Sequence, residues 1–197
     1  MNRILRTTAV GAAALAVTLG AGAPAWADNP AKPLDAAKKA VTARIDKRLA
    51  ALQHFDTALG KAGKVQAAHR ATLDKLIDDQ TAGLTALRTK VAGESTAAAV
   101  KADGQSMVND FRVFILTGPK VRLTRAIDTE LAVVEKLHGR SGVDQAKLDA
   151  VQKSLTGKVD ALLAVQPGPD GDAIRAQVKP VREAAHEARA TLRSLKK

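Results

Sequence analysis

Two pairs of glutamate and histidine stand at a spacing that can hold metal ions in a helical protein. Glu135 and His138 form one Glu-x-x-His pair, and Glu183 and His186 form the other. Two such pairs on facing helices bind two iron or manganese ions when each of two further helices adds a glutamate. No glutamate lies on the first two long predicted helices, so aspartates would have to substitute there. We therefore expect no metal site, and chance spacing on solvated helix faces accounts for the two pairs.

Three cations lie close together at the predicted start of a helix, namely Lys120, Arg122 and Arg125. The N-terminus of a helix presents free backbone N–H groups, so these cations could bind an anion there. Arg122 and Arg125 are one turn apart, and Asp128 and Glu130 follow closely enough to pair with them. The sequence favours surface salt bridges within this segment, with an anion site as the alternative.

The two remaining histidines stand alone. His54 falls off the apolar stripe of its helix, so we expect it to be solvated, whereas His69 lies at the edge of a stripe and should be a core-edge residue with a hydrogen-bonding partner. The chain has no H-E-x-x-H, no glycine-rich phosphate loop and no G-x-S-x-G motif. It also has no cysteine, which excludes thiol chemistry. We therefore predict no catalytic residue, no cofactor and no enzymatic activity.

The first 27 residues have the three parts of a secretory signal peptide. Two arginines within the first six residues precede an apolar run over residues 9–23, and Ala25 and Ala27 form an A-x-A cleavage pattern. A membrane anchor is the alternative, but a spanning helix needs ~20 apolar residues, and glycines and a proline interrupt this run. We predict cleavage that leaves Asp28 as the first residue of a secreted or cell-envelope protein.

Charge is the strongest compositional signal in the mature chain. Loss of the signal peptide, which holds two arginines and no acid, leaves 29 Lys and Arg against 20 Asp and Glu, a net charge of +9. The excess is +5 over residues 28–92, zero over residues 93–139 and +4 over residues 140–197. Basic flanks favour anionic partners. With three phenylalanines as the only aromatics after cleavage, the mature chain lacks the stacking platforms of nucleic-acid-binding proteins, and nothing indicates a small-molecule substrate.

Apolar residues recur at steps of three and four, and no stretch alternates as a strand would. The pattern predicts helices over residues 33–59, 64–91, 105–116, 119–138 and 143–165, with a short turn over 96–102 that Gly104 interrupts. The last helix has an a/d heptad seam of small and aliphatic residues, and these are Ile174, Val178, Val181, Ala185, Ala188, Leu192 and Leu195. Pro180 should either bend this helix or mark its true start.

These elements predict an all-α fold, in which residues 28–197 form a single domain. We expect an elongated antiparallel bundle of four to five main helices with coiled-coil-like packing. Its centre should be the segment 110–120, which holds the densest apolar run after the signal peptide. Within that segment Phe111 and Phe114 stand three residues apart on a predicted helix, and we expect both to be buried.

Two segments carry a resemblance to a known type of protein. The sequence AGLTALRTKV over Ala82–Val91 and the sequence DFRVFILTGPK over Asp110–Lys120 resemble exported Ala/Lys-rich helical-bundle proteins from Gram-positive bacteria, whose function is unknown. The resemblance implies a signal peptide and a helical bundle. It implies no activity and no functional residue.

The sequence thus favours a non-catalytic secreted protein that acts by surface contact in or outside the cell envelope. Its basic flanks would meet an anionic cell-wall polymer or an envelope protein, and the membrane would be contacted through the signal peptide alone. The alternative is a membrane-surface or lipid-binding protein with amphipathic helices. The small alanines on the last seam are poor lipid anchors, which favours the first hypothesis.

Overall fold

The computed structural model describes residues 31–195, and these form an all-helical bundle without a strand. The fold-class prediction of an all-α protein is thus confirmed for this part of the chain. The predicted signal peptide 1–27, with Ala25, Ala27 and the expected first residue Asp28, lies outside the described residues. The elements are α1 (Ala31–Gly60), α2 (Ala67–Gly93), α3 (Ala97–Asp110), a π-helical turn (Val113–Thr117), α4 (Gly118–Leu137), α5 (Gln145–Leu155), α6 (Lys158–Ala164) and α7 (Gly171–Ser194).

The apolar core has two parts that meet at α4. One cluster is built mainly from α1, α2 and α3, and the other mainly from α4, α5, α6 and α7. Helix α4 contributes to both, because Val121 packs in the first cluster while Ile127 and Val134 pack in the second. Leu163 of α6 packs against both clusters. Helix α4 and the preceding π-helical turn, whose Val113 packs in the first cluster and Leu116 in the second, therefore join the two halves of the bundle.

Helix α7 follows the heptad seam that the sequence predicts. Six seam positions are buried, and the seventh, Leu195, packs partly buried against the second cluster. The helix is continuous through Pro180, which lies on its exposed side. The alternative that the helix begins near Pro180 is therefore wrong. At its N-terminus the Asp170 side chain accepts hydrogen bonds from the N–H groups of Asp172 and Ala173, both at 2.9 Å, which explains the sharp start.

Two glycines change the predicted helix boundaries, because Gly157 breaks a predicted helix and Gly104 does not. The stretch 143–165 forms two helices rather than one, because Gly157 adopts a left-handed conformation with φ of 71° between α5 and α6. Gly104, by contrast, does not interrupt α3. It is buried against α1, where a Cβ atom would lie 3.1 Å from Cγ2 of Val41. Its missing side chain lets the two helices approach closely.

The central segment is buried only in part, and neither of its two phenylalanines is fully buried as we expected. Residues 116–121 are all buried, and Phe111 packs partly buried against the first cluster. Phe114, which we expected to be buried, is 42% exposed. The helical conformation is lost at Phe111 and Arg112 and resumes as a π-helical turn, in which the N–H of Gly118 donates to the carbonyl of Val113. Phe111 and Phe114 consequently do not share a helix face.

No helix within residues 31–195 combines the length and the apolar character needed to cross a membrane.

Candidate functional site

Five cations from three separate parts of the fold line one groove of about 440 Å³. Lys61 and Lys64 come from the loop between α1 and α2, Arg122 and Arg125 from α4, and Arg189 from α7. No acidic side chain of the described residues lines it, and its remaining walls are small residues, namely Ala62, Gly63, Ala126 and Thr129. We call this surface the basic groove.

The loop that carries the two lysines is held in place by an arginine of α2. Arg70 donates from Nη1 to the carbonyl of Leu59 at 2.8 Å and from Nη2 to the carbonyl of Ala62 at 2.6 Å. Hydrogen bonds from a charged donor are stronger than neutral ones. The backbone that carries Lys61 and Lys64 is therefore fixed, although both side chains are exposed.

Arg189 is placed at the groove by a buried carboxylate that does not line it. Its Nε donates to Oε1 of Glu130 at 3.1 Å, and the Glu130 side chain is 7% exposed. Burial raises the pKa of Glu130, an effect that the charge and the hydrogen bond of Arg189 partly oppose. Because the guanidinium is a fork of five N–H donors, this contact leaves the outer nitrogens of Arg189 for a ligand.

The predicted salt bridges among Arg122, Arg125, Asp128 and Glu130 are wrong. Asp128 is paired with a histidine of α2, and Glu130 is paired with Arg189. Among the described residues neither Arg122 nor Arg125 forms an ion pair, and the Nε atom of Arg125 is buried without a hydrogen-bond partner. Of the three cations in the alternative anion site, only Arg122 and Arg125 line the basic groove.

Lys120, the third cation of the predicted cluster, does not reach the groove. It is buried, with 4% of its surface exposed, and its Nζ donates to the carbonyls of Leu163 at 2.8 Å and Val165 at 2.6 Å. Burial lowers the pKa of Lys120 to about 8. The segment after α6 is thereby attached to the start of α4.

A larger cavity of about 650 Å³ contains the histidine that pairs with Asp128. The Nδ1 atom of His69 lies 3.0 Å from both carboxylate oxygens of Asp128, and the N–H of Gln66 donates to Oδ2 at 2.9 Å. The prediction that His69 has a partner at the core edge is confirmed. Because Gln66 immediately precedes α2, Asp128 caps that helix from α4 and joins the two halves of the bundle.

The far side of this imidazole faces an exposed acid. Nε2 of His69 lies 3.5 Å from Oδ1 of Asp160, whose side chain is 81% exposed. None of the described hydroxyl groups is hydrogen-bonded to His69. The hydroxyl of Thr156, which also lines the cavity, donates to the carbonyl of Gln152 at 2.9 Å. His69 and Asp128 thus form a hydrogen-bonded dyad that attaches α2 to α4.

The two Glu-x-x-His pairs are placed apart. Glu135 and His138 line the His69 cavity, whereas Glu183 and His186 are exposed on α7, off its buried seam, as the phase of the seam predicts. Within residues 31–195 no three His, Asp or Glu side chains converge in a way that could hold a metal ion.

Phe114 forms a second surface feature together with cations of α1. The Nζ of Lys47 lies 5.9 Å from the ring centroid and the guanidinium carbon of Arg48 lies 5.4 Å from it, which is cation–π distance. The pKa of Arg48 is lowered by burial first and then by the positive charges of Arg44 and Arg112. Phe114 is the single large apolar side chain that stands exposed among the described residues.

The sequence could indicate only part of the basic groove. Arg122 and Arg125 are neighbours in the chain and stand out there, but Lys61, Lys64 and Arg189 become their neighbours only through folding.

The chain matches no protein-family model, and it has no match among curated proteins or among solved structures.

Proposed function

We propose that the protein is a non-catalytic, exported binding protein that attaches to an anionic polymer of the cell envelope through the basic groove. The observation that carries this proposal is the convergence of five cations from three elements without an acid among the described residues that line the groove. In most surface clusters acids neutralise neighbouring cations, which makes such clusters poor ligand sites. Here Asp128 pairs with His69, and Glu130 pairs with Arg189 of the groove. The other four groove cations form no ion pair with a described residue.

The types of cation indicate the kind of anion. Three of the five side chains are arginines, whose planar fork of donors matches a phosphate or a carboxylate with two parallel hydrogen bonds. Single exposed ion pairs contribute only about 0.2–1 kcal/mol. Stable attachment through such contacts therefore requires a ligand that repeats its charge, because linked contacts act at high effective concentration. A polymer with regularly spaced anionic groups meets this requirement.

Sequence patterns support the proposed export of the protein and the proposed coiled-coil-like packing of its helices. The A-x-A pattern at Ala25 and Ala27 supports cleavage before Asp28 and export, and the resemblance to exported Ala/Lys-rich helical proteins supports the same location. The regular seam of α7 supports coiled-coil-like packing of an elongated antiparallel bundle. Attachment to the polymer requires no cofactor and no small-molecule substrate.

Sedimentation of the mature chain with isolated cell walls tests the proposal. The variant Arg122→Glu/Arg125→Glu should lose most of its attachment at low salt. The matched control is Arg140→Glu/Arg182→Glu, which changes the net charge equally at two exposed arginines that neither line the groove nor form ion pairs with described residues. Equal loss in both variants would mean that total charge rather than the groove binds the wall. Unchanged binding to walls stripped of anionic polymer would instead indicate an envelope protein as partner.

A membrane-surface role is the second candidate, and Phe114 is the observation that favours it. An exposed aromatic ring beside Lys47 and Arg48 combines an apolar group with two cations, as in surfaces that contact anionic lipid. Flotation with vesicles of anionic and of zwitterionic lipid tests this role. Binding to anionic vesicles that Phe114→Ala abolishes would support it, whereas binding that is unaffected by Phe114→Ala would reject it.

A further inference from the structure

Lys120 is a buried amine without an acidic partner. It lies in the first turn of α4, is 4% exposed, and forms no ion pair with any of the described residues. The burial of an ammonium group costs several kcal/mol unless an opposite charge compensates it. The sequence does not predict this burial. The neighbouring cations Arg122 and Arg125 lie at the basic groove instead.

The two hydrogen bonds of Lys120 can be donated by the ammonium ion or by the neutral amine. A neutral lysine amine has two N–H bonds, and Nζ donates to two carbonyls, those of Leu163 at 2.8 Å and Val165 at 2.6 Å. An ammonium ion would carry a third N–H, for which no acceptor is found among the described residues. In the neutral form both donors are used and the nitrogen lone pair remains free. Burial also lowers the pKa of Lys120 to about 8, so a substantial fraction is neutral near physiological pH.

A cavity of about 300 Å³ gives this amine room for a reaction partner. Its apolar walls come from Phe111, Leu116 and Leu163. The hydroxyl of Thr117, also in the lining, is occupied because it donates to Oε1 of Gln80 at 2.9 Å. The cavity is at the lower end of the size range of small-molecule sites. Lys120 is the one amine that lines it among the described residues.

We propose that Lys120 is a nucleophilic amine that captures small uncharged aldehydes in this cavity. The lone pair of Nζ attacks the carbonyl carbon and forms an N–C bond as the C=O π bond opens, and one proton then passes from the nitrogen to the oxygen. The carbinolamine then loses the amine proton and its hydroxyl group as water, and an imine C=N bond remains. No oxidant, reductant or metal takes part, and water reverses the step.

The acidic residues that line the cavity disfavour negatively charged ligands. Asp79 and Asp110 line it; Asp79 is paired with Lys75 at 2.8 Å, whereas Asp110 forms no ion pair with a described residue. The carboxylate of Asp110 repels aldehydes that carry an acidic group, while the apolar walls favour an aromatic or aliphatic body. The class of ligand that fits is therefore a neutral aldehyde of small size.

Reductive trapping of the full mature chain tests the proposal. The protein is mixed at pH 7.5 with benzaldehyde and cyanoborohydride, which converts an imine to a stable benzylamine, and labelled peptides are identified by mass spectrometry. At this pH the neutral fraction of Lys120 exceeds that of an ordinary lysine by on the order of a hundredfold. Lower basicity and restricted access offset part of that advantage. We expect the initial labelling rate at Lys120 to exceed that at Lys153, an exposed lysine of α5 without an ion pair to a described residue, by about tenfold.

Two comparisons decide the outcome. Replacement of benzaldehyde by 4-carboxybenzaldehyde should slow labelling at Lys120 several-fold relative to Lys153, because the reagent is then anionic. Lys120→Arg should abolish the fast phase, whereas Lys153→Arg should leave it unchanged. Labelling of Lys120 at or below the rate of Lys153 in the unaltered protein would overturn the proposal, whether or not the variants fold. This result is independent of the wall-binding experiment, because Lys120 does not line the basic groove.

Discussion

The ring of Phe111 lies directly against Gly83 of α2, where a Cβ atom would come within 2.6 Å of the ring carbon Cε1. This contact explains the glycine within α2, which lowers local helix propensity by up to ~1 kcal/mol relative to alanine. The missing side chain makes room for the aromatic ring at the point where the chain leaves α3. The two residues lie in the two segments that carry the resemblance to exported helical proteins.

We expect Gly83→Ala to destabilise the protein by about 1 kcal/mol, because the clash outweighs the gain in helix propensity. In a Phe111→Ala background the same change should stabilise by up to ~1 kcal/mol, since the ring is absent. Gly93→Ala is the control, because a Cβ atom there meets nothing within 4 Å. Urea unfolding of the four variants of the double-mutant cycle gives the coupling. Additive effects would show that Phe111 and Gly83 do not interact.

Asp128 should contribute strongly to stability, because it accepts hydrogen bonds from α2 at a buried position. Asp128→Ala leaves the N–H of Gln66 and the ring of His69 without their acceptor, and we expect a loss of about 2–4 kcal/mol in the free energy of unfolding. Asp160→Ala removes the exposed acid on the other side of the same imidazole. That variant should change stability by less than ~0.5 kcal/mol. Equal effects in chemical unfolding would contradict the assigned role of Asp128.

The sequence predicts the pattern of helices better than it predicts the contacts between them. The seam of α7 is readable because its spacing depends on that helix alone, and the buried set agrees with it. The break between α5 and α6 cannot be predicted from the sequence, because it follows from the left-handed conformation of Gly157 within an otherwise helical pattern. The exposure of Phe114 is not readable either, because the π-helical turn changes the side that each residue faces.

The site was less predictable than the fold because its parts are distant in the chain. Arg189 and Glu130 are 59 residues apart, and their pairing is what leaves Arg122 and Arg125 without a partner. Sequence spacing alone predicts that Asp128 and Glu130 pair with Arg122 and Arg125, and this prediction is wrong. The burial of Lys120 depends likewise on two carbonyls more than 40 residues away.

Lys120 should make the stability depend on pH in an alkaline window. Its pKa is about 8 in the folded protein and about 10.4 when unfolded, so between these values the unfolded chain binds more protons. The free energy of unfolding should therefore rise as pH increases from about 8 to 10, by at most ~3 kcal/mol. The chain has no cysteine and no tyrosine to titrate in this window. Urea unfolding at several pH values should show the rise, and Lys120→Met should remove it.

Signal-peptide cleavage gives a prediction outside the described residues. Expression with export should yield a chain whose first residue is Asp28, because Ala25 and Ala27 form the cleavage pattern. Intact-mass spectrometry of the culture supernatant and of the membrane fraction measures this directly. Ala27→Leu should leave an uncleaved precursor, since the cleavage pattern demands small residues. A chain that keeps Met1 in the membrane fraction would show that the segment is an anchor.

Salt should weaken attachment to anionic wall polymer, and the basic groove should account for most of that dependence. Between about 0.1 M and 1 M salt the screening length falls from ~10 Å to ~3 Å, so contacts between exposed charges are largely lost. The variant Arg122→Glu/Arg125→Glu should bind weakly at every salt concentration and show a shallow dependence. The control Arg140→Glu/Arg182→Glu should keep the steep dependence of the unaltered chain. Sedimentation across a salt series measures both slopes. Attachment of the unaltered chain that persists at 1 M salt would indicate an apolar contact, and binding through the basic groove would then be rejected.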